Sequence, residues 1–143
     1  MGHRRKAREV ALQVLYQIDV AQTETEEAID LFWRCFNASE TARDFSSSII
    51  RGVRSHLDEL DGLIERFSEN WTMARMAKVD RNILRMAVFE LLHCADIPPK
   101  VTLNEAIDLG KNYGSENSSS FINGILDALY AEIQHDRQDS DQP

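Results

Sequence analysis

Residues 99–127 read PKVTLNEAIDLGKNYGSENSSSFINGILD, and this stretch decides the fold class. Apolar residues recur at helical spacing in both halves of it, which predicts two helices. Tyr113–Gly114 ends the first helix, and Ser118 is expected to cap the second. We call residues 113–118 the elbow. Because a helix N-terminus collects backbone N–H groups without partners, the elbow is a plausible place for an anion such as a phosphate.

The rest of the chain follows the same helical pattern. No proline precedes Pro98, glycine is scarce, and no run alternates with a period of two over the length of a strand. These features predict an all-α fold of about seven helices. Residues 81–94 carry apolar side chains on nearly every side, so this helix is expected to be central, with Asp80 as its N-cap.

The length and composition predict one domain, over residues 1–131, followed by a polar tail at 132–143 that we expect to be disordered. Cys35 and Cys94 have no paired spacing and the four histidines form no ligand set, so neither a metal nor a cofactor is expected. No apolar run approaches 18 residues, which argues against a membrane span. The basic N-terminus lacks the apolar segment of a signal peptide, so we expect a cytoplasmic protein.

The charge is unevenly distributed along the chain. The net charge of −8 weighs against nucleic-acid binding, but residues 1–8 contain no acidic residue and four basic ones, Arg4, Arg5, Lys6 and Arg8. On a helical wheel the three arginines form one patch, and Tyr16 continues the same flank. Cations beside an exposed ring suit single-stranded nucleic acid. The alternative, in which Tyr16 packs at the edge of the core with its hydroxyl in water, stays open.

Three blocks of sequence point to a known family: residues 4–9 with 11–16, residues 79–87 with Glu90-Leu91, and residues 100–127, which include Asn104-Glu105-Ala106-Ile107 and Phe121-Ile122-Asn123-Gly124. With these blocks the chain resembles the NusB family of bacterial transcription antitermination factors. The likeness extends over nearly the whole chain. It implies a compact all-helical bundle in two packed subdomains.

The resemblance also implies a function. A member of this family binds the boxA segment of nascent ribosomal RNA together with NusE, a small-subunit ribosomal protein, and acts on RNA polymerase to suppress termination. It is not an enzyme and needs no cofactor. Consistent with this, no nucleophile in the chain has an adjacent base, and the glycines form no phosphate-binding loop.

By the same resemblance, the RNA surface joins the first helix to the elbow, and the NusE surface lies around Asp80. The implied RNA contacts are Arg4, Arg5, Lys6, Arg8, Gln13, Tyr16, Lys111, Tyr113, Glu116, Asn117, Ser118 and Phe121. Two structural alternatives stay open, in which Asp80 is a simple N-cap and Phe121 belongs to the core.

This sequence departs from the family at one position of the elbow. The family commonly has Glu-Asp-Ser where this chain has Glu116-Asn117-Ser118, so a neutral amide replaces a carboxylate, and less repulsion of phosphate is expected. Two further possibilities remain from sequence alone. The chain could be a helical protein-interaction module without direct RNA binding, and the apolar faces of its first two helices could form a homodimer.

Overall fold

The computed structural model describes residues 2–36, 39–69 and 71–140. These residues form seven α-helices and one short 3₁₀-helix at Met73–Arg75, with no strand among them. The helices are α1 (Gly2–Ala21), α2 (Thr25–Cys35), α3 (Glu40–Ser55), α4 (Leu57–Phe67), α5 (Lys78–His93), α6 (Pro99–Tyr113) and α7 (Ser118–Ser140). The predicted all-α bundle is confirmed.

Local sequence explains several of the helix ends. The side chain of Glu24 caps α2 by accepting hydrogen bonds from two backbone N–H groups of its first turn, and Ser39 caps α3 in the same way with one. Pro99 stands at the start of α6, where its missing N–H would have had no partner within the helix. His56 separates α3 from α4.

Helix α5 lies at the centre of the molecule, as its apolar circumference predicts. It packs against α1, α3, α4, α6 and α7, and ten consecutive residues, 82–91, are buried. The helices before it, α1–α3, form one packed group, and α4, α6 and α7 form the other around α5. Burial of a helix on all sides requires every polar side chain on it to find a partner inside the protein.

The first such partner is Arg8 of α1, which pairs with Glu90 of α5. Arg8 donates to the Glu90 carboxylate from Nε at 2.9 Å and from Nη2 at 2.8 Å, and the hydroxyl of Thr102 in α6 donates to the same carboxylate at 2.9 Å. Arg8 is only 3% exposed. The expectation that Arg8 contacts RNA is therefore corrected, because its guanidinium is buried and paired with Glu90 inside the protein.

A second polar network joins α1 and α4 to the start of α5. Asp19 accepts hydrogen bonds from Arg81 and Asn82, and Arg85 pairs with Asp61 at 2.7 Å. Burial by itself would raise the pKa of the Asp19 carboxyl, but the hydrogen bonds from Arg81 and Asn82 outweigh it and hold that pKa below the ordinary value. The network fixes the second half of α1 against the core.

The predicted N-cap of α5 is corrected. The helix begins at Lys78 with Ala77 in the capping position, because the backbone N–H of Arg81 already bonds to the Ala77 carbonyl. Asp80 therefore lies inside the first turn. A carboxylate there still interacts favourably with the helix dipole, although it caps no backbone N–H.

The predicted disordered tail also differs from the structure, in which α7 continues as a helix to Ser140. Three contacts explain the extension: Ile133 packs against the core, Glu132 pairs with Arg66 at 3.4 Å, and Arg137 donates to the backbone carbonyl of Leu91 at 3.2 Å. The last part of the predicted tail, residues 141–143, lies outside the described residues.

The Arg8–Glu90 pair predicts a large stability effect. Replacement of Arg8 by Met leaves the Glu90 carboxylate buried without its counter-charge, so we expect the free energy of unfolding in urea at pH 7 to fall by about 3–5 kcal/mol. Arg51→Met is the matched control, because Arg51 pairs with Glu26 where both side chains are 54% exposed. That change is expected to cost less than about 1 kcal/mol. Equal small losses in the two variants would contradict the structural role of Arg8.

Candidate nucleic-acid interface

Side-chain bonds hold α1 and the elbow on one side of the molecule. Arg5 pairs with Glu105 at 3.2 Å and with Asp108 at 2.6 Å, both on α6. At the end of α6 the hydroxyl of Tyr113 donates to the Glu9 carboxylate at 2.6 Å, and this hydrogen bond raises the pKa of the Tyr113 phenol. The predicted cations of α1 therefore share a continuous surface with the elbow.

The cations at the start of α1 differ in how far they reach solvent. Arg5 is 52% exposed in spite of its two acidic partners, and Lys6 is exposed without an ion pair to any described residue. Arg4 is exposed too, lies 4.7 Å from the ring centre of Phe45, and pairs weakly with Asp96 at 3.7 Å. With Arg8 buried, three of the four predicted cations can reach a phosphate.

The exposed face of α1 continues past the cations. Gln13 and Tyr16 are both exposed there, and Tyr16 retains 41% of its accessible surface. The ring of Tyr16 therefore has surface in solvent on which a base could stack, although more than half of the residue is covered by its neighbours. Glu9, which the sequence does not single out, lies between these residues and the elbow and bonds to Tyr113.

The elbow is shaped by Ser118, which is buried. Its Oγ accepts a hydrogen bond from the backbone N–H of Ser115 at 2.8 Å, and a side chain on Gly114 would collide with the same hydroxyl. Two expectations are corrected, because Ser118 is inside α7 rather than its N-cap and is too buried to contact RNA. Through its close contacts with Gly114 and Ser115, Ser118 fixes the turn on which the other elbow residues lie.

The remaining predicted residues of this region are accessible to different degrees. Lys111, Glu116 and Asn117 are exposed, and Tyr113 is partly exposed. Phe121 is half-buried, since it packs against the core and meets the ring of Trp71 edge to face, with centroids 6.1 Å apart. Phe121 is therefore part of the core edge and part of the surface at once.

A cleft of about 470 Å³ lies beside the elbow, between the start of α5 and the start of α7. It is lined by Trp71, Arg75, Asp80, Asn117 and Phe121, among others. The predicted protein-binding residue and two predicted RNA contacts thus meet in one cleft. Sequence analysis missed Trp71, although a tryptophan in a polar connector is a recognisable signal of a binding surface.

Asp80 is the unusual group of this cleft. Its side chain is buried, with 8% of the residue exposed, and its Oδ1 receives no hydrogen bond from any described residue. A buried carboxylate oxygen without a donor is energetically unfavourable. The alternative in which Asp80 serves only as an N-cap does not hold, because it caps no N–H group. The residue lines the cleft, so a cation that entered the cleft would meet a carboxylate.

The described residues contain no group of three or more His, Cys, Asp and Glu side chains that could hold a metal ion. Of the helices that the structure describes, none combines the length and apolarity that a membrane crossing requires.

Comparison with known proteins gives matches along most of the chain. Residues 5–131 match the model of the NusB family. The transcription antitermination protein NusB of Syntrophus aciditrophicus (strain SB) is 61% identical over 142 residues, which cover 99% of this chain and 88% of the relative. The protein of the same name from Myxococcus xanthus (strain DK1622) is 50% identical over 133 residues, 90% of this chain and 95% of the relative.

Solved structures with the same fold include two that bear on this surface. T. maritima NusB is 37% identical, with a TM-score of 0.82, and the match covers 90% of this chain and 91% of that one. A structure of the antitermination factors NusB and NusE in complex with dsRNA matches with a TM-score of 0.84 at 28% identity, over 92% of this chain and 98% of that one.

Proposed function

Because the chain belongs to the NusB family, we propose that it is a transcription antitermination factor that binds boxA of nascent ribosomal RNA together with NusE. In this proposal it acts on RNA polymerase in the cytoplasm to suppress termination, as an adaptor without catalytic activity. Relatives named as antitermination proteins, and the likeness to a NusB–NusE–RNA structure, support it.

One observation carries the RNA-binding part of the proposal, namely the bonds that place α1 beside the elbow. The Tyr113–Glu9 hydrogen bond and the pairs of Arg5 with α6 bring the accessible cations of α1 to the same side of the molecule as the elbow and the exposed Lys111 near the end of α6. RNA phosphates contact the accessible cations, and Tyr16 stacks a base. The proposed contacts on this face are Arg4, Arg5, Lys6, Gln13, Tyr16, Lys111, Tyr113, Glu116, Asn117 and Phe121.

Two residues of the predicted RNA site act indirectly in this proposal. Arg8 fixes the orientation of α1 through Glu90, and Ser118 shapes the elbow through Ser115. The acids around Arg5 also matter, because they reduce the positive potential that it presents to a phosphate. Binding by the isolated chain is therefore expected to be modest, which makes a second RNA-binding partner useful.

NusE is proposed to occupy the cleft beside the elbow. A basic side chain of NusE would pair with the Asp80 carboxylate, which lines the cleft, and lie against the ring of Trp71, as cations do with aromatic faces. Since Asn117 lines the same cleft, NusE bound there lies next to the RNA path. RNA contacts made by NusE then add to those of this chain through a high effective concentration.

Removal of two accessible lysines should weaken RNA binding in a salt-dependent way. For the variant Lys6→Ala with Lys111→Ala, we expect lower affinity for a labelled single-stranded boxA RNA, measured by fluorescence anisotropy at several salt concentrations with NusE present. The slope of log K against log salt should become shallower by about 1.4, or 0.7 for each lost phosphate contact.

The matched control removes two cations elsewhere, Arg51→Ala with Arg66→Ala, both of which form exposed pairs on other helices. It should leave the slope unchanged. If the lysine variant keeps the slope of the unmodified protein, the RNA surface is assigned wrongly. If the unmodified chain binds NusE but adds nothing to RNA binding, the alternative of a module that contacts protein alone is correct.

The neutral amide at the elbow should favour RNA. We expect Asn117→Asp to weaken RNA binding by the isolated chain roughly threefold in low salt, because the new carboxylate repels phosphate through partly screened solvent. Asn123→Asp introduces the same charge at an exposed position of α7 and serves as the control. Equal affinities of the two variants at matched salt would refute a phosphate near Asn117.

The cleft should respond to a charge change at Asp80. We expect Asp80→Asn to weaken NusE binding, measured by calorimetry, by about 10- to 100-fold, which is the loss of one charge-assisted hydrogen bond. RNA binding without NusE should not change. Asp58→Asn is the control, since Asp58 also lies in the first turn of a helix but is exposed. NusE binding that is insensitive to Asp80 would place the partner elsewhere.

A further inference from the structure

A groove of about 410 Å³ runs along the opposite flank of the exposed face of α1. Lys6 and Gln13 of α1 form one wall, and Phe32, Trp33 and Phe36 at the end of α2 form the other. None of the three aromatic residues enters the RNA surface proposed above. The groove is thus a separate feature that adjoins the same exposed helix face.

The ring of Phe36 is the most exposed aromatic group of this groove. It is 54% exposed, and it stacks on the ring of Phe32 with centroids 4.4 Å apart and planes 18° apart. The backbone N–H of Phe36 bonds to the Phe32 carbonyl at 3.2 Å, which ties the residue to the end of α2. Phe32 therefore supports one face of the ring and leaves the ring in a defined orientation with much of its surface in water.

The polar groups around the groove suit a nucleotide. Lys6 and His3 are exposed cationic or protonatable groups at the rim, and the amide of Gln13 can both donate to and accept from a base edge. The acid in this lining is Glu9, whose carboxylate already accepts the Tyr113 hydroxyl. In a bound nucleotide the phosphate would lie near Lys6, the base edge would bond to Gln13, and the base plane would stack on Phe36.

Charge at the rim favours RNA as the occupant. Lys6 and His3 lie there, and the phosphates of a single strand respond to charges close to them. A groove with a cationic rim and a supported aromatic ring fits single-stranded nucleic acid better than an acidic protein.

We infer that this groove holds one unpaired base of the bound RNA, stacked on Phe36, with its phosphate near Lys6. The inference rests on the proposed function, because it extends the same RNA path. Lys6, Glu9 and Gln13 line the groove, and Glu9 also bonds to the elbow residue Tyr113. A strand that crosses α1 from the elbow reaches the groove without leaving the exposed face of that helix.

The test separates aromatic stacking from general apolar contact. Phe36→Leu removes the ring and keeps an apolar side chain, while Phe36→Tyr keeps the ring. With NusE present, we expect Phe36→Leu to weaken binding of a labelled boxA RNA by about 5- to 150-fold and Phe36→Tyr to bind like the unmodified protein. The salt slope should be the same in all three, because no phosphate contact is lost. Val101→Leu, at an exposed apolar site of α6, is the control for surface changes.

A second measurement locates the base. Single abasic substitutions are introduced at each position of the RNA in turn. At one position the substitution should lower the affinity for the unmodified protein but should have little effect on the affinity for Phe36→Leu, since the two changes remove the same contact. Circular dichroism and thermal melting establish that the variants are folded. Binding of Phe36→Leu equal to that of the unmodified protein would overturn the inference.

The outcomes also distinguish this inference from the proposed function. If the lysine variant changes the salt slope while Phe36→Leu has no effect, the RNA surface stands and the groove is not part of it. If Phe36→Leu alters NusE affinity or self-association in sedimentation but not RNA affinity, the groove is a protein contact and the inference fails. If the unmodified protein with NusE binds no RNA, both fail.

Discussion

The buried ion pair between Arg8 and Glu90 is the interaction on which the rest of the surface depends. Two charges inside a protein are tolerated only when they meet with good geometry, so α1, α5 and α6 must all be in place before Arg8, Glu90 and Thr102 are satisfied together. This requirement fixes the rotation of α1 about its axis. With Arg8 directed inward, residues on the other side of the helix, such as Lys6 and Gln13, face solvent.

Local pairing reconciles the proposed RNA surface with the acidic charge of the protein. The acids nearest the exposed face of α1 are engaged, because Glu105 and Asp108 bind Arg5 and Glu9 accepts the Tyr113 hydroxyl. Salt screens charges over a distance of about 10 Å at 0.1 M ionic strength, so acids farther than that from a phosphate have little effect on it. A phosphate therefore responds to the charges close to it rather than to the net charge. The same pairing limits the affinity, since a cation that already has acidic partners gains less from a phosphate.

Sequence periodicity predicts most of the fold, because helical spacing is a local property. It identifies the all-α class and the central position of α5, but a helical wheel gives the direction of a side chain and not its partner. The helical wheel places Arg5 and Arg8 in one patch. In the structure Arg8, but not Arg5, forms a buried pair with Glu90, which lies 82 positions away. The predicted N-cap role of Ser118 is wrong for a similar reason, since the Ser118 hydroxyl accepts a hydrogen bond from the backbone N–H of Ser115. The Trp71 cleft and the Phe36 groove arise from segments distant in sequence and require the assembled bundle.

Two groups at the surface of the assembled bundle share a physical character. Asp80 has a buried oxygen without a donor, and Phe36 has a supported ring with about half of its surface in water, so both groups are unfavourably placed in the isolated chain. In the proposed function they flank the cationic path along which the RNA lies. In that proposal, a partner bound at one of these groups would raise the effective concentration of the RNA at the other, so the free energies of the separate contacts would add. A small helical protein can in this way support a stable assembly from individually modest contacts.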